Sequence, residues 1–379
     1  MAKLGDVFTL QMGKTPARAR SEYWNNGDNA WVSISDLSGY DKYVGKTKET
    51  ISDLAVKESG IKPTPADTVI MSFKLTLGKT AITVKPTYTN EAIMAFIPNG
   101  NYPVHPSYFY HFFGGRDWSK GTNRAVMGTT LNKATLSEID VHIPPLVEQI
   151  RIAELLDKVD GLISKRNRQL SMIDDLVKSR FIELFGTYPS NPMGWECGTI
   201  RDIIADVRYG SSRPAVDGGK YPYLRMNNIT YSGELDLTDT KRIDVPENEL
   251  DKCTVRRGDV LFNRTNSKEL VGKTCVYNRD EMMVLAGFVI RVRVTERVLP
   301  EFLSAFLNTD FSKQMLLGMC KTAIGQANIN AQEMQNIGLY LPPIELQRQF
   351  VRFKEQTDKS KFDNSAEPRQ KGIAEKSLI

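Results

Sequence analysis

The chain is written twice, and a tandem duplication restricts it to folds in which each copy closes its own core. Leu4-Gly5-Asp6-Val7 opens the first pass and Ile200-Arg201-Asp202-Ile203 the second. Gly13-Lys14-Thr15-Pro16 is echoed by Gly210-Ser211-Ser212-Arg213-Pro214. Trp31-Val32-Ser33-Ile34-Ser35-Asp36-Leu37 is answered by Tyr223-Leu224-Arg225-Met226-Asn227-Asn228-Ile229. Asp67-Thr68-Val69-Ile70-Met71-Ser72 matches Asp259-Val260-Leu261-Phe262-Asn263-Arg264, and Leu77-Gly78-Lys79-Thr80 matches Val271-Gly272-Lys273-Thr274. Ile143-Pro144-Pro145 and Leu341-Pro342-Pro343 close the series, each followed by a Glu and then a Gln, Gln149 and Gln347. All fall in one order at a spacing of roughly 200 residues, which chance does not produce. A length of 379 residues agrees, being too great for one ordinary core and suited to two.

Within each copy the short β-branched runs, such as Thr68–Phe73 and Val289–Val294, are bounded by Gly, Pro, Asn or Asp and read as strands. Trp31–Asp36 reads as another. Val289–Val294 alternates apolar residues with arginine, which predicts one buried face and one wet face. Short helices are expected at Pro106–Phe113 and Pro300–Phe311, because Pro suits a first helical turn. Each copy is therefore expected to be α+β.

After Pro144-Pro145 the texture changes. Residues 146–185 hold no Pro and a single Gly, Gly161, with apolar positions at Ile152, Leu156, Val159, Ile163, Leu170, Ile173 and Val177. That alternating four-and-three spacing is a coiled-coil seam, interrupted once by Arg166, whose burial would need a partner. Gly186 with Pro189 beyond it is a stop signal. About 40 residues at 1.5 Å each make a rod of about 60 Å. The second Pro-Pro launches only about half as much: Ile344, Phe350, Val351, Phe353 and Phe362 continue a seam, after which the sequence turns polar and meets Pro368 and Gly372. The expected layout is a domain over residues 1–143, a long helix over 144–186, a second domain over 187–341, a shortened helix over 342–363, and a disordered polar tail over 364–379.

Composition excludes several classes. An apolar fraction of 41% is enough to fold, and no apolar run approaches the ~20 residues that cross a bilayer. The start carries no secretion signal, so a cytoplasmic protein is expected. Cys197, Cys253, Cys275 and Cys320 are scattered and read as reduced, buried thiols; with His105, His111 and His142 they offer no metal-ligand spacing. Gly-Lys-Thr occurs at 13–15, 45–47, 78–80 and 272–274, but Phe8, Tyr40, Phe73 and Ser267 stand where a phosphate-cradling loop needs Gly. No Asn/Asp-Pro-Pro-aromatic run of an adenine methyltransferase and no Gly-x-Ser-x-Gly of a hydrolase is present, and the single acid-x-Lys tripeptide, Asp239-Thr240-Lys241, lies in an ordinary polar stretch. No catalytic residue, metal or cofactor is expected.

What remains is a loop chemistry of Arg, Lys, Asn and aromatics. In the first copy it comprises Lys14, Thr15, Arg18, Arg20, Tyr23, Trp24, Lys74 and Lys79. In the second it comprises Arg208, Tyr209, Ser211, Ser212 and Arg213, then Arg225, Asn227 and Asn228, then Arg264, Asn266, Lys268 and Lys273. Arg pairs with guanine and Asn with adenine, while Lys and Ser/Thr hold phosphates, so these are the candidate DNA contacts. Any single one could be an ordinary wet loop residue; their recurrence at matching places carries the reading. Gly128–Asn132 and Gly325–Asn330, before each Pro-Pro, fit either DNA contact or packing.

This ordered set resembles the specificity (S) subunit of Type I restriction–modification systems. The resemblance rests on the Leu-Gly-Asp-Val opening, the Gly-Lys-Thr-Pro turn, Trp31–Asp36, Gly258-Asp259-Val260-Leu261 with Val271-Gly272-Lys273, and above all the paired Pro-Pro helix starts. It covers residues 3 to about 362. It implies two tandem target recognition domains, a pseudo-two-fold repeat separated by long antiparallel coiled-coil helices. Each domain would read one half of a bipartite site in double-stranded DNA. The helices would act as a spacer and dock two modification subunits that bring S-adenosylmethionine; restriction subunits would join as an ATP-driven translocase and nuclease. The S subunit itself would be non-catalytic. Half-sites one helical turn apart lie ~34–36 Å from centre to centre, within reach of such a rod. The shortened second helix departs from the family's matched pair. A reading of another class, an adaptor whose duplicated domains bind proteins, stays open on the residues alone.

Overall fold

The computed structural model describes residues 1–74, 76–118, 131–323 and 326–363. The tail 364–379, residues 128–130 and Gly325 lie outside the described residues. The chain divides into two units, Met1–Lys165 and the described residues from Arg166 onward.

In the first unit an antiparallel sheet runs in the order Phe8–Met12, Ile93–Pro98, Val69–Ser72, Thr80–Ile82. A second sheet places Trp24–Val32 between antiparallel Glu49–Ile51 and parallel Tyr88–Thr89. Ala2–Lys3 pairs with Asp140–Val141. The second unit repeats all three. Ile204–Tyr209, Val289–Val294, Val260–Asn263 and Thr274–Val276 form the first sheet. Tyr221–Leu224 lies between Lys241–Ile243 and parallel Met283–Leu285 in the second, with Thr254–Val255 added at the edge. Glu196–Thr199 pairs with Gly338–Leu341. Each unit is α+β, as expected.

A helix closes the first sheet of each unit. Pro106–Gly115 buries Tyr108, Phe109, Phe112 and Phe113 against Phe8 and Phe96. In the second unit Pro300–Leu307 does the same with Phe302, Leu303 and Phe306. The expected Pro300–Phe311 helix is broken, because the Thr309 hydroxyl accepts from Ser312 N (3.3 Å) and caps a new helix, Asp310–Met319.

Three further expectations are corrected. The Trp31–Asp36 strand stops at Val32: Ser33 accepts from Asp36 N (3.1 Å) while its own N–H donates to the Asp36 carboxylate (3.0 Å), a capping box that starts helix Ile34–Gly39. The wet face of Val289–Val294 is covered. Arg291 is buried, its guanidinium on Asp206 (2.7 Å) and on the Thr254 carbonyl at the end of helix Glu247–Cys253. Arg293 lies on Asp259 (2.7 and 3.2 Å). All four cysteines are free, but Cys197 is exposed.

The register also shifts one repeat match. Val69 lies between Phe96 and Ile82 as Val260 lies between Val292 and Val276. Asp67 and Gly258 both take positive φ (55° and 89°) before their strands. The left-handed turn residues are therefore equivalent, not the two aspartates, so Ser72 corresponds to Asn263 and Phe73 to Arg264.

The long helix spans Leu146–Phe185, 40 residues, and ends at Gly186 with positive φ. Its seam positions are half-buried except Val159, which is exposed. The distal helix Ile344–Asp363 has 20 residues. It runs antiparallel to the second half of the long helix: Phe350 packs on Phe181 and Phe185, Phe353 meets Arg180, and Lys361 pairs with Asp174 (2.6 Å). Arg166, the interruption in the seam, donates to the Lys361 carbonyl (3.1 Å) in the last turn.

Gln149 and Gln347 explain the Pro-Pro motif. Both are fully buried. Gln149 accepts from His105 N (2.9 Å) and donates to Pro103 O and Pro144 O (both 2.9 Å). Gln347 accepts from Leu299 N (2.8 Å) and donates to Arg297 O (3.2 Å) and Pro342 O (2.9 Å). His105 and Leu299 are the N-caps of the sheet-closing helices, so one amide ties each long-helix start to its own domain.

Candidate nucleic-acid interface

In the second unit one tight crossing builds the site. After strand Ile204–Tyr209 the backbone passes over the end of Met283–Leu285 at Gly210, where an added Cβ would stand 2.2 Å from Leu285 O. Gly13 makes the same crossing in the first unit, 2.2 Å from Thr89 O, so neither position admits a side chain. Ser211 N then donates to Leu285 O (2.6 Å) and Gly287 N to Ser211 O (2.7 Å), which fixes the loop beside residues 286–288.

That loop, the turn after Tyr221–Leu224 and the end of Val260–Asn263 enclose a cleft of about 500 Å³. Arg213, Arg225 and Arg264 line it with Ser212, Asn227 and Phe288, and no carboxylate is among its lining residues. Two of the three arginines are neutralised from outside. Arg213 holds Glu249 through two nitrogens (3.2 and 2.8 Å), and this contact keeps the Glu249 carboxyl below its ordinary range. Arg225 donates to the Asp239 carboxylate (2.8 Å) and carbonyl (3.0 Å). Arg264 has no carboxylate within ion-pair reach among the described residues. Its guanidinium carbon lies 5.0 Å from the centre of the Tyr209 ring. The Nε atoms of Arg225 and Arg264 are buried and unpaired.

The sequence expectation thus gathers Ser211, Ser212, Arg213, Arg225, Asn227 and Arg264 around one cleft. Others are placed differently. Asn228 is interior: its side chain accepts from Arg225 N (2.9 Å) and donates to Asp236 O (2.8 Å), doing for its turn what Asp36 does in the first unit. Lys273 is interior too, its ammonium on Ile229 O (2.5 Å) and Met226 O (3.0 Å), and burial pushes its pKa down. Ser211, although it lines the cleft, is buried, and the Tyr209 hydroxyl accepts from Ala331 N (2.8 Å). Arg208 pairs with Asp206 (3.0 Å), Asn266 ends the short strand Thr265–Asn266, and the exposed Lys268 lies on the turn beyond it.

In the first unit, Tyr23 and Trp24 belong to a core with Trp31 and Ile51 and offer no free aromatic face. Arg18 stacks on Trp24 (3.7 Å) and takes Glu49 through two nitrogens (2.6 and 3.0 Å). Arg20 is shared by Glu22 and Glu58. Lys14 donates to Ser59 O (2.5 Å) and Thr15 to Glu91. Lys74 lies 5.3 Å from the Phe73 ring, and Lys79 is exposed.

Phe288, exposed in the cleft, escaped the sequence reading. Its signal was an aromatic where the first copy has Ala92. The backbone bond from Arg264 N to Phe288 O (3.0 Å) repeats that from Phe73 N to Ala92 O (3.0 Å). The described residues contain no group of His, Cys, Asp and Glu placed to hold a metal ion, and no helix long and apolar enough to cross a membrane.

Known proteins share the duplicated domain. The family model described as the Type I restriction modification DNA specificity domain matches twice, over residues 1–172 and 192–371. The MjaIX specificity subunit of Methanocaldococcus jannaschii is 28% identical over 251 residues, 60% of this chain and 57% of that protein. The EcoKI specificity subunit of Escherichia coli is 27% identical over 355 residues, 88% of this chain and 74% of that protein. The matched stretch therefore spans little more than half of the first relative's length. Among solved structures, a chain from a study of assembly and conformational transition in the type I R-M system matches with TM-score 0.56 at 17% identity, over 100% of this chain and 93% of that one. The S subunit from M. genitalium matches with TM-score 0.51 at 13% identity, over 99% and 93%. These two show likeness of fold. With the specificity domain matched in both copies and the fold repeated in both, the chain belongs to the Type I restriction modification DNA specificity family.

Proposed function

We propose that the chain is the non-catalytic sequence-reading subunit of a Type I restriction–modification complex in the cytoplasm. Residues 1–143 and 187–341 each read one half of a bipartite site in double-stranded DNA. The helices over 144–186 and 342–363 set the spacing of the halves and dock two modification subunits, which supply S-adenosylmethionine; restriction subunits join them.

The observation that carries this reading is the second copy's cleft, with three arginines, an exposed phenylalanine and no lining acid. Arginine forks suit base edges and phosphates, and an acid-free wall leaves a polyanion unopposed. The test is selection of the full chain, alone and with modification subunits, on randomised duplexes. The expected product is two short motifs at a fixed separation, with binding that weakens steeply as salt rises. Binding that ignores sequence and salt would favour the protein-binding adaptor and overturn this reading. Magnesium-dependent cleavage by the purified chain alone would overturn its non-catalytic part.

A further inference from the structure

We propose that Arg264 is the base-reading residue of the second copy and that its target is a guanine in the major groove. The inference rests on the DNA-reading function above and names the chemistry of one contact within it.

The three cleft arginines are not equivalent. Arg213 and Arg225 already make two donor contacts each, to Glu249 and Asp239, so a fork using both terminal nitrogens on a base would compete with these charge-assisted bonds. Arg264 has no such contact among the described residues, and its Nε is sealed from solvent without an acceptor. The donors it can offer are its two terminal amino groups. Its backbone is fixed on both sides: its N–H donates to Phe288 O (3.0 Å), and its carbonyl accepts from Ile329 N (2.9 Å). Its guanidinium lies over Tyr209, whose far end is held by Ala331 N. A cation fixed in this way loses little conformational freedom when a ligand arrives.

Two parallel donors at the end of a guanidinium match two adjacent acceptors. In the major groove guanine presents O6 and N7 together, whereas adenine presents one acceptor beside a donor. Phe288 supplies the apolar wall next to this fork. The equivalent pair in the first copy, Phe73 and Ala92, is buried and carries no donor, although the same backbone bond joins it. The duplicated frame therefore presents an arginine reader in one copy only, and the first copy reads its half with other groups.

Full-length protein is compared with Arg264→Gln and Arg264→Lys on the randomised duplexes. In wild type one position of one half-site should require guanine. Arg264→Gln should lose roughly 10–100-fold in affinity for that duplex and relax the one position, leaving the other half-site unchanged. Arg264→Lys should keep the guanine preference in weaker form. Replacing that guanine by 7-deazaguanine removes the N7 acceptor without touching the protein; it should weaken wild type and leave Arg264→Gln unaffected. A two-part motif that survives Arg264→Gln unaltered would overturn this inference alone. So would equal weakening on every duplex, the mark of a phosphate contact. A wild type that selects no motif overturns the DNA-reading function itself.

Discussion

Lys268 and Lys273 share one stretch of chain and meet opposite environments. Lys268 is exposed on the turn after Arg264, free to sit near a phosphate. Lys273 lies inside, bonded to two carbonyls of the turn that carries Arg225. Lys268→Ala should weaken DNA binding evenly across sequences and reduce its salt dependence by about one phosphate, with the melting temperature unchanged. Lys273→Ala should lower stability by about 1–3 kcal/mol, since two buried carbonyls lose their donor, and leave the salt slope alone. Thermal unfolding and salt-titrated binding on both variants separate the two roles. Asp206 and Arg291 make a pH prediction. Burial pushes the Asp206 carboxyl up, but the Arg291 hydrogen bond and charge outweigh it, and the net pKa falls below its ordinary value. A depressed carboxylate adds stability above its unfolded pKa of about 3.9 and loses it as pH falls through the folded value. Asp206→Asn should therefore be less stable than wild type at neutral pH and should lose less melting temperature on passing below about pH 4. Arg291 also shows where reading a sequence fails: alternation with apolar residues means a wet face only if nothing covers it, and here a helix end supplies carbonyls that take the charge inside.

Elements were more legible than side chains. The long helix, its stop at Gly186 and the half-length distal helix follow from seam spacing and from the distribution of Pro and Gly, which are local properties. The Gln after each Pro-Pro was visible as a motif, but its work was not, because two of its three partners lie 44 to 50 residues upstream. Gln347→Ala would strip partners from three backbone groups, Leu299 N, Arg297 O and Pro342 O. A cost of about 2–4 kcal/mol is expected, read as a fall in denaturation midpoint. Hydrogen exchange should quicken at the first turns of Pro300–Leu307 and Ile344–Asp363 together, since one amide holds both. Exchange that quickens at one helix alone would mean the two starts are not coupled through Gln347.

At the scale of the whole molecule, duplication was the plainest feature of the sequence, and some of the residues chosen on its strength, Asn228 and Lys273 among them, lie inside the fold. Recurrence at matching places marks what the fold needs from both copies. Asp36 and Asn228 recur because both turns need a cap. Under the function proposed above, bases of two different half-sites are met where the copies differ, and at one equivalent position Arg264 and Phe288 stand in place of Phe73 and Ala92. On that proposal the frame and the reader are written in opposite signals. The long helix belongs to the frame, contributing residues up to Lys165 to one unit and those from Arg166 to the other. Inserting one heptad after Gly161, where even an added Cβ would meet nothing within 4 Å, keeps the seam in phase and lengthens the helix by about 10 Å. Selection on randomised duplexes should then return the same two half-sites with roughly three more base pairs between them. An unchanged separation would show that the helix is not the ruler, and altered half-site sequences would show that the copies do not read independently of the helix that joins them.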